Sequence, residues 1–353
     1  MELTIEQSRK LKATSVILAA GTLLGLAYSI LAHGVEDLAR LLVGVTIGIM
    51  IAMSVAFFEF VLFSGKIRKI PFLNLLLLRV VSYFMVTLGI ILFVLIVYRM
   101  FKFGISFHAV IVSEEFNQYI RSQDFTIANA YSLALITAVN FTMQMNRKMG
   151  PGVIPGFITG KYYQPKNVNI IIMFLNIRHG KKLIDSYGRL HFHRYINDLI
   201  FEITDIIINR KGEIYEYVDE EIVLIWKSDT GFENANCVRT YFELKDKASS
   251  RKAYFYEKYH VIPEFFASLH CGKVIRGEIG ELKSAIKYHG DAMNTASRIL
   301  GLTTEANDFL ASSDILQKLT MPIIYDAASF GKFDLKGKVN KIELFTIREK
   351  EIT

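Results

Sequence analysis

The sequence has 353 residues, of which 52% are hydrophobic and 21% are charged, and its formal net charge is +7. Its two cysteines, Cys237 and Cys271, are too few for a disulfide framework or a zinc site built on cysteines. Much of the positive charge flanks long apolar segments in the first half of the chain, so it indicates membrane topology rather than nucleic-acid binding. We therefore expect a protein that contacts a lipid bilayer and no nucleic acid.

Four apolar segments in residues 1–148 are long enough to cross a bilayer, which takes about 20 residues in a helix. In chain order they cover about 13–32, 41–63, 80–98 and 127–145. The first is expected to be retained, because no small-residue cleavage signature of a signal peptide follows it. The fourth contains Asn129, Asn140 and Gln144, so an interfacial or buried helix is the alternative there. The segments predict an all-α transmembrane domain with four helices.

The basic residues around these segments predict their orientation, since Lys and Arg collect in cytoplasmic loops. They lie before the first segment, between the second and third, and after the fourth, at Arg9, Lys10, Lys12, Lys66, Arg68, Lys69, Arg147, Lys148 and Lys161. Both termini are therefore expected in the cytoplasm, in a multi-pass protein of the inner (plasma) membrane. Glu59 and Arg79 lie near cytoplasmic helix ends, where snorkelling or pairing is the expected role and signal sensing is the alternative.

Glycine and proline are concentrated in residues 149–166, which predicts a linker. It is either a passive tether or a segment that transmits a signal. Residues 167–353 form the next predicted domain, in which apolar runs and helical patterns alternate. Strands are expected at 168–177 and 341–347, hairpins at 213–226 and around Cys271 and Gly272, and helices at 181–209, 233–248 and 292–302. This order predicts an α/β sandwich, with a largely antiparallel sheet covered by helices.

Several motifs of this second half, in this order, resemble those of the class III adenylyl and guanylyl cyclases. The run Phe174-Leu175-Asn176-Ile177 resembles the opening strand of that family, whose third position is a metal-binding Asp. The hairpin around Asp219 resembles one with a Gly-Asp turn. The family's strongest signature resembles Gly277, Ile279, Gly280, Gly290, Asp291, Asn294 and Arg298, and its Leu-Lys-Gly motif resembles residues 335–337. The likeness covers about residues 161–347.

The resemblance implies a class III cyclase fold and the conversion of ATP or GTP to a cyclic nucleotide and pyrophosphate, with Mg²⁺ or Mn²⁺. It also implies a homodimer or heterodimer, because the family shares each site between two subunits. Asn294 and Arg298 match the residues that orient the ribose and stabilise the reacting phosphate, and their spacing places them on one helix face. By the same resemblance, the nucleotide-binding positions are Glu216, Lys287, Lys336 and Lys338.

The sequence departs from the family pattern at the metal and base-reading positions. Asn176 replaces the first metal-binding Asp, and a neutral amide is a poor substitute for a carboxylate around Mg²⁺. Glu220 takes the second metal position, with Asp219 as the alternative ligand. Glu216 and Lys287 reverse the charges of the adenine-reading pair, so a plain surface pair is their alternative role. These changes leave two functions open: a cyclase with a degenerate metal site, or a pseudo-cyclase acting as a regulatory or heterodimer subunit.

Two histidines lie near these motifs in the sequence. His270 is in the predicted hairpin, and His289 directly precedes Gly290 of the strongest signature. We expect both to be bystanders.

Overall fold

The computed structural model describes residues 5–33, 38–62, 70–150, 153–281 and 284–350. The chain divides into two compact units, Met1–Ile154 and Pro155–Thr353, and the division falls inside the predicted linker. Phe63 and the predicted cytoplasmic loop with Lys66, Arg68 and Lys69 lie outside the described residues.

The first unit is helical throughout its described part. Its helices are α1 (Ile5–His33), α2 (Leu38–Phe57), α3 (Phe72–Phe103), α4 (Phe107–Val112), α5 (Glu114–Ile120) and α6 (Gln123–Met149), and α7 (Val153–Ile158) spans the division between the units. A π-helical turn, Phe58–Leu62, continues α2. Four stretches are long and apolar enough to cross a membrane: Thr14–Leu31, Leu41–Val61, Phe72–Phe103 and Phe125–Asn146. The third is longer than predicted, because the apolar run before residue 80 is part of the same helix.

Glycines allow α1 and α2 to cross at close range. Each helix carries a Gly-x-x-x-Gly motif, at Gly21 and Gly25 on α1 and at Gly44 and Gly48 on α2. A Cβ placed on Gly25 would lie 2.3 Å from the backbone oxygen of Gly44. Small residues of this kind let the backbones of membrane helices approach each other and pack, where burial from water contributes little.

A buried ion pair joins the end of α2 to α3. Arg79 Nη1 donates to Glu59 Oε1 at 2.6 Å, and the hydroxyl of Tyr83 donates to the same oxygen at 2.9 Å. Glu59 belongs to the π-helical turn, and both charged side chains are buried. The structure thus contains the pairing that was expected for Glu59 and Arg79.

The second unit is built on an eight-stranded sheet. Its strands are β1 (Lys166–Ile177), β2 (Glu213–Val218), β3 (Glu221–Lys227), β4 (Phe265–Ile279), β5 (Ala285–His289), β6 (Phe309–Ser312), β7 (Tyr325–Phe333) and β8 (Ile342–Glu349). Their order is β2-β3-β1-β4-β6-β8-β7, with β5 also paired to β4. The β4–β6 pair is parallel and the other described pairs are antiparallel. The predicted α/β sandwich with a largely antiparallel sheet is confirmed.

Helices cover the sheet, and the alternation of side chains along the central strands decides which helices contact which face. The helices are α8 (Gly180–Tyr187), α9 (Arg189–Asn209), α10 (Ser228–Phe232), α11 (Asn236–Ser250), α12 (Lys252–Tyr259), α13 (Asp291–Leu300) and α14 (Ser313–Leu316). Ile171, Met173 and Leu175 of β1 belong to the large core with α9 and α11. Ile170 and Ile172 face the other way, into a smaller core under α13.

The hairpin predicted around Cys271 and Gly272 is wrong, because β4 runs through both residues without a turn. Cys271 pairs with Ile171 and Gly272 with Ile170, in a ladder that extends along the whole of β1. The glycine serves helix packing instead. A Cβ on Gly272 would lie 2.7 Å from the Cβ of Ala292, so its absence lets α13 lie close against β4.

The helix predicted over 181–209 is divided into α8 and α9 at Gly188. This residue has φ 83 and ψ 163, a conformation outside the helical region that glycine adopts readily. α8 therefore ends at Tyr187, and α9 begins at Arg189. The helix predicted over 233–248 begins later, at Asn236.

Candidate functional site

The helix α13 presents Asn294 and Arg298 away from the core. Its other side carries Ala292 and Ala296, which are buried against the sheet. The hydroxyl of Ser268 on β4 donates to the backbone oxygen of Ala296 at 2.7 Å and fixes the helix on the strand. Asn294 is exposed and Arg298 is half-buried. Both polar side chains are therefore held one turn apart on the accessible side of a well-anchored helix.

The loop between β7 and β8 lies beside this helix face. Lys338 forms an ion pair with Asp291 in the first turn of α13, and its backbone N–H donates to Leu335 O at 2.9 Å. Gly337 has φ 78, and a Cβ placed on it would lie 3.5 Å from Nη1 of Arg298. The structure thus brings Arg298 and Lys338 into one region. Lys336 of the same loop is exposed.

Glu216 and Lys287 contact each other, although three strands separate β2 from β5 in the order of the sheet. Lys287 Nζ lies 2.9 Å from Glu216 Oε1 and 5.6 Å from the ring centroid of Tyr215. The side chain of Tyr215 also accepts a hydrogen bond from the backbone N–H of Tyr288 at 3.3 Å. The hydrogen bond that Lys287 donates to Glu216 raises the pKa of Lys287. The two predicted base-reading side chains are thus each other's partner across the face of the sheet.

The acidic residues predicted to bind metal lie where β1 ends and β2 turns into β3. We call Asn176, Asp219, Glu220 and Glu221 the strand-end edge. Val218 pairs with Glu221, so Asp219 and Glu220 form a two-residue turn. Asp219 has φ 50, a left-handed conformation that Asp adopts more readily than most residues. Asp therefore fits the position at which the family has Gly.

The two glutamates of the strand-end edge have different surroundings. A Cβ placed on Gly180, the first residue of α8, would lie 2.4 Å from Glu220 Cγ and 2.9 Å from the ring of Phe192. Glu220 is therefore beside the start of α8, on the side of the large core. Glu221 pairs with Asn176 in the ladder between β1 and β3. Burial, and then the charges of Glu220 and Asp219, raise the pKa of Glu221.

Comparisons with known proteins relate this architecture to one family. No protein-family model matches the sequence. Adenylate cyclase 2 of Rhizobium meliloti (strain 1021) is 27% identical over 218 residues, which are 62% of this chain and 60% of that protein. Two structures of a bacterial light-regulated adenylyl cyclase are 19% and 18% identical, with TM-scores of 0.52 and 0.51. They match 63% and 65% of this chain, and 65% and 66% of their own.

The second unit has the fold of a class III nucleotidyl cyclase domain. The resemblance that the motifs indicated is thereby confirmed, and we call residues 155–353, after this fold, the cyclase unit. The chain spans less than two thirds of the length of these relatives.

Sequence reasoning missed Glu221 of the cyclase unit. Its position opposite Asn176 depends on the pairing of β1 with β3, two strands that lie far apart in the sequence. The two-residue turn could have indicated the register of β2 with β3. No local signal gives the register of β3 with β1, so the cross-strand neighbour of Asn176 was not visible in the sequence.

His270 of the cyclase unit has a place in the core. Its Nδ1 lies 2.8 Å from the hydroxyl of Ser312, across the parallel pair of β4 and β6. Burial lowers its pKa to about 4, so the imidazole is neutral at pH 7. These surroundings suit the structural role expected for a bystander. His289 is exposed at the end of β5.

Among the residues that the structure describes, no three His, Cys, Asp or Glu side chains are gathered closely enough to hold a metal ion. The strand-end edge nevertheless offers only hard oxygen donors: the carboxylates of its three acidic residues and the amide oxygen of Asn176. Oxygen donors are the ligands that Mg²⁺ takes in proteins, commonly one or two carboxylates completed by water and substrate phosphates. By the chemistry of its donors, the edge fits an ion that arrives with a nucleotide.

Proposed function

We propose that this protein is a membrane-anchored nucleotidyl cyclase that converts ATP or GTP to a cyclic nucleotide and pyrophosphate, with a degenerate metal site. The observation that carries the proposal is the exposed face of α13, where Asn294 and Arg298 lie one turn apart within a class III cyclase fold. The similarity to a protein named adenylate cyclase 2 favours ATP as the substrate.

In the proposed reaction, the 3′-hydroxyl oxygen bonds to the α-phosphorus and gives its proton to water, while the bond from that phosphorus to pyrophosphate breaks. The planar guanidinium of Arg298 can donate to the phosphate oxygens as negative charge develops on them. The amide of Asn294 can hold the ribose by donating or accepting a hydrogen bond. Their common helix keeps the distance between these two functions constant.

A divalent ion would supply charge neutralisation and activation of the attacking hydroxyl. Mg²⁺ or Mn²⁺ is the ion expected from the family, and the strand-end edge is where this chain would hold it. Asn176 contributes an oxygen without charge, so the edge attracts an ion less strongly than the family's pair of Asp residues would. We therefore propose a cyclase that is weaker than members with both carboxylates.

The rest of the proposal concerns location and assembly. The four apolar helices suit a multi-pass protein of the inner (plasma) membrane, with both termini in the cytoplasm where ATP and GTP are available. A dimer follows from the family resemblance, with Asn294 and Arg298 of one subunit facing the strand-end edge of the other. The partner is a second copy of this chain or a related cyclase.

The test is a turnover assay on the purified full-length protein in detergent, with ATP and GTP in separate reactions and Mn²⁺ in excess. We expect a cyclic nucleotide, and the double variant Asn294→Ala/Arg298→Ala, purified in the same way, controls for host cyclases. If neither substrate gives more product than the double variant at high protein concentration, the homodimer is not a cyclase.

The neutral side chain of Asn176 favours one second candidate: a pseudo-cyclase that acts as a regulatory or heterodimer subunit. In that case an intact class III cyclase domain would supply both carboxylates, while this chain supplies Asn294 and Arg298. Mixing the protein with such a domain, itself disabled at its own Asn and Arg, should produce activity.

The triple variant Asn176→Asp, Asp219→Gly, Glu220→Asp tests separately whether the metal site limits turnover. Turnover that appears only in this variant would identify the strand-end edge as the defect.

A further inference from the structure

Asn176 and Glu221 form the more closely spaced type of cross-strand pair. In an antiparallel ladder, opposed residues alternate between pairs that exchange hydrogen bonds and pairs that do not, and the side chains of the second type are closer. The backbone N–H of Ile177 donates to Glu220 O at 2.8 Å. This bond makes Ile177 and Glu220 a hydrogen-bonded pair. The next pair along the ladder, Asn176 and Glu221, is therefore of the non-hydrogen-bonded type.

The two side chains also share a face of the sheet. Leu175 and Ile177 of β1, and Ile222 of β3, point into the large core, so the residues between them in the alternation point the other way. Val223 confirms this direction for β3, since it belongs to the smaller core under α13. Opposed residues on one face have Cβ atoms about 4.5–5.5 Å apart. A carboxylate on the Glu221 side chain can therefore reach the oxygen of Asn176.

We infer that Glu221 supplies the carboxylate that position 176 lacks, so that the Asn176–Glu221 pair forms the core of the metal-binding edge. This inference rests on the proposed function, because it concerns the ion that a cyclase reaction would use. It assigns a role to a residue outside the expected ligand set of Asn176, Asp219 and Glu220. The loss of charge at 176 is then partly offset by a carboxylate from the neighbouring strand.

The surroundings of Glu220 support this assignment. Its Cγ lies beside Gly180, next to the ring of Phe192, which belongs to the large core. That side of the sheet is opposite to the face shared by Asn176 and Glu221. A negative side chain beside the first turn of α8 also interacts favourably with the helix dipole. Glu220 thus has a position that stabilises the start of α8, while Glu221 has the position opposite Asn176.

The test measures metal binding directly, independently of turnover. Full-length protein in detergent is titrated with Mn²⁺ in the presence of α,β-methylene-ATP, which cannot be cyclised, and free Mn²⁺ is followed by electron paramagnetic resonance. Four proteins are compared: the parent, Glu221→Gln, Glu220→Gln, and Glu257→Gln as a control at an exposed position of α12. We expect Glu221→Gln to weaken Mn²⁺ binding about tenfold, Glu220→Gln to weaken it less than Glu221→Gln does, and Glu257→Gln to leave it unchanged.

A rescue variant shows whether Glu221 acts as a metal ligand or only supports the fold. In Asn176→Asp/Glu221→Gln the carboxylate moves to the other member of the pair, so the charge of the edge is restored. We expect this double variant to bind Mn²⁺ within about threefold of the parent. Thermal unfolding followed by the fluorescence of Trp226, the protein's only tryptophan and a buried core residue, verifies that each variant is folded.

Three outcomes would overturn the inference: a parent that binds no Mn²⁺ with the nucleotide, loss of binding in Glu220→Gln but not in Glu221→Gln, or a folded Glu221→Gln whose binding Asn176→Asp does not restore. None of them decides the proposed function. Turnover that persists in a Glu221→Gln protein with normal Mn²⁺ binding would refute the role of Glu221 and leave the cyclase proposal intact. Conversely, Mn²⁺ binding that depends on Glu221 in a protein without turnover would leave this inference intact.

Discussion

Two ion pairs, one in each unit, have the same chemistry and opposite surroundings. Glu59 and Arg79 of the helical unit are 2.6 Å apart, with 3% and 1% of their side chains exposed. Glu216 and Lys287 of the cyclase unit are 2.9 Å apart, with 41% and 36% exposed. Removing one member of a buried pair takes away an opposite charge that water cannot replace, whereas an exposed charge is readily rehydrated. The first pair is therefore part of the fold, and the second can exchange its partner for a ligand.

The largest effect should come from breaking the buried pair. Glu59→Gln keeps the shape of the side chain but removes the buried carboxylate that pairs with Arg79, which we expect to destabilise the helical unit by about 3–5 kcal/mol. Circular dichroism at the helical minimum measures the transition of the full-length protein in detergent. The fluorescence of Trp226 follows the cyclase unit in the same sample and should keep its midpoint.

The matched control for this experiment is Glu115→Gln in the same unit. Glu115 lies 3.6 Å from Arg99 with 79% of its side chain exposed, so its loss should cost less than about 1 kcal/mol. Equal shifts in Glu59→Gln and Glu115→Gln would show that burial does not distinguish these pairs, and would contradict the comparison above.

The next largest effect should be the loss of turnover when Arg298, the proposed donor to the phosphate, is removed. Arg298→Ala should lower turnover about 100- to 1000-fold, the usual loss when one donor to a developing negative charge is removed. The midpoint of the Trp226 transition should stay near that of the parent, because the guanidinium is half-buried and lies beside a loop glycine. Arg189→Ala, at an exposed position on α9, should leave both turnover and midpoint unchanged. Full turnover in a folded Arg298→Ala protein would contradict the role assigned to α13.

The third effect in order of size concerns Asp198, whose contribution to the stability of the cyclase unit depends on pH. Its Oδ2 accepts from the hydroxyls of Tyr254 at 2.8 Å and Tyr259 at 2.7 Å, and from Lys258. Burial alone would raise the pKa of Asp198, but the three hydrogen bonds lower it from 3.8 to about 2. The carboxylate is therefore favoured in the folded state. Its contribution is complete above pH 3.8 and is lost as the pH falls from there toward 2.

We expect Asp198→Asn to destabilise the cyclase unit by about 2 kcal/mol at pH 7, since a neutral amide replaces a charged acceptor of several hydrogen bonds. The difference between the Trp226 midpoints of variant and parent should shrink when both are measured near pH 2.5. Asp326→Asn, at an exposed position on β7, serves as the control and should show no difference at either pH. A difference that grows on acidification would have the wrong sign for this mechanism.

Local and non-local features explain which parts of the molecule could be predicted from the sequence. The resemblance to a family motif identified Asn294 and Arg298 as candidates, and their place on one helix face follows from a spacing within adjacent turns. A buried strand such as β1 is likewise evident from its apolar run. The hairpin around Cys271 and Gly272 was wrong because Gly272 indicated a turn, whereas its small size accommodates α13. A glycine that serves packing has the same local pattern as one that serves a turn.

The strand-end edge shows the same limit at the level of the candidate site. A comparison of motifs placed Glu220 at the metal position, since alignment follows position along the chain. The side on which a turn residue lies depends on contacts with α8, and the neighbour of Asn176 depends on the register between β1 and β3. A shift of one residue in that register would exchange the faces of Glu220 and Glu221. The proposal of Glu221 as a ligand therefore required the structure.

The smallest effect should come from the exposed pair. Glu216→Gln should change the stability of the cyclase unit by less than about 1 kcal/mol, because Lys287 can be hydrated when its partner is lost. If Glu216 contacts the base of the nucleotide, Glu216→Gln should raise the ratio of turnover with ATP to turnover with GTP by up to about fivefold, equivalent to ~1 kcal/mol. A carboxylate accepts two hydrogen bonds from the donor groups of guanine, and an amide oxygen accepts with less charge. Glu213→Gln on the same strand controls for loss of charge alone. An unchanged ratio in Glu216→Gln, with normal turnover, would leave the pair as a surface contact and make its exposure irrelevant to substrate choice.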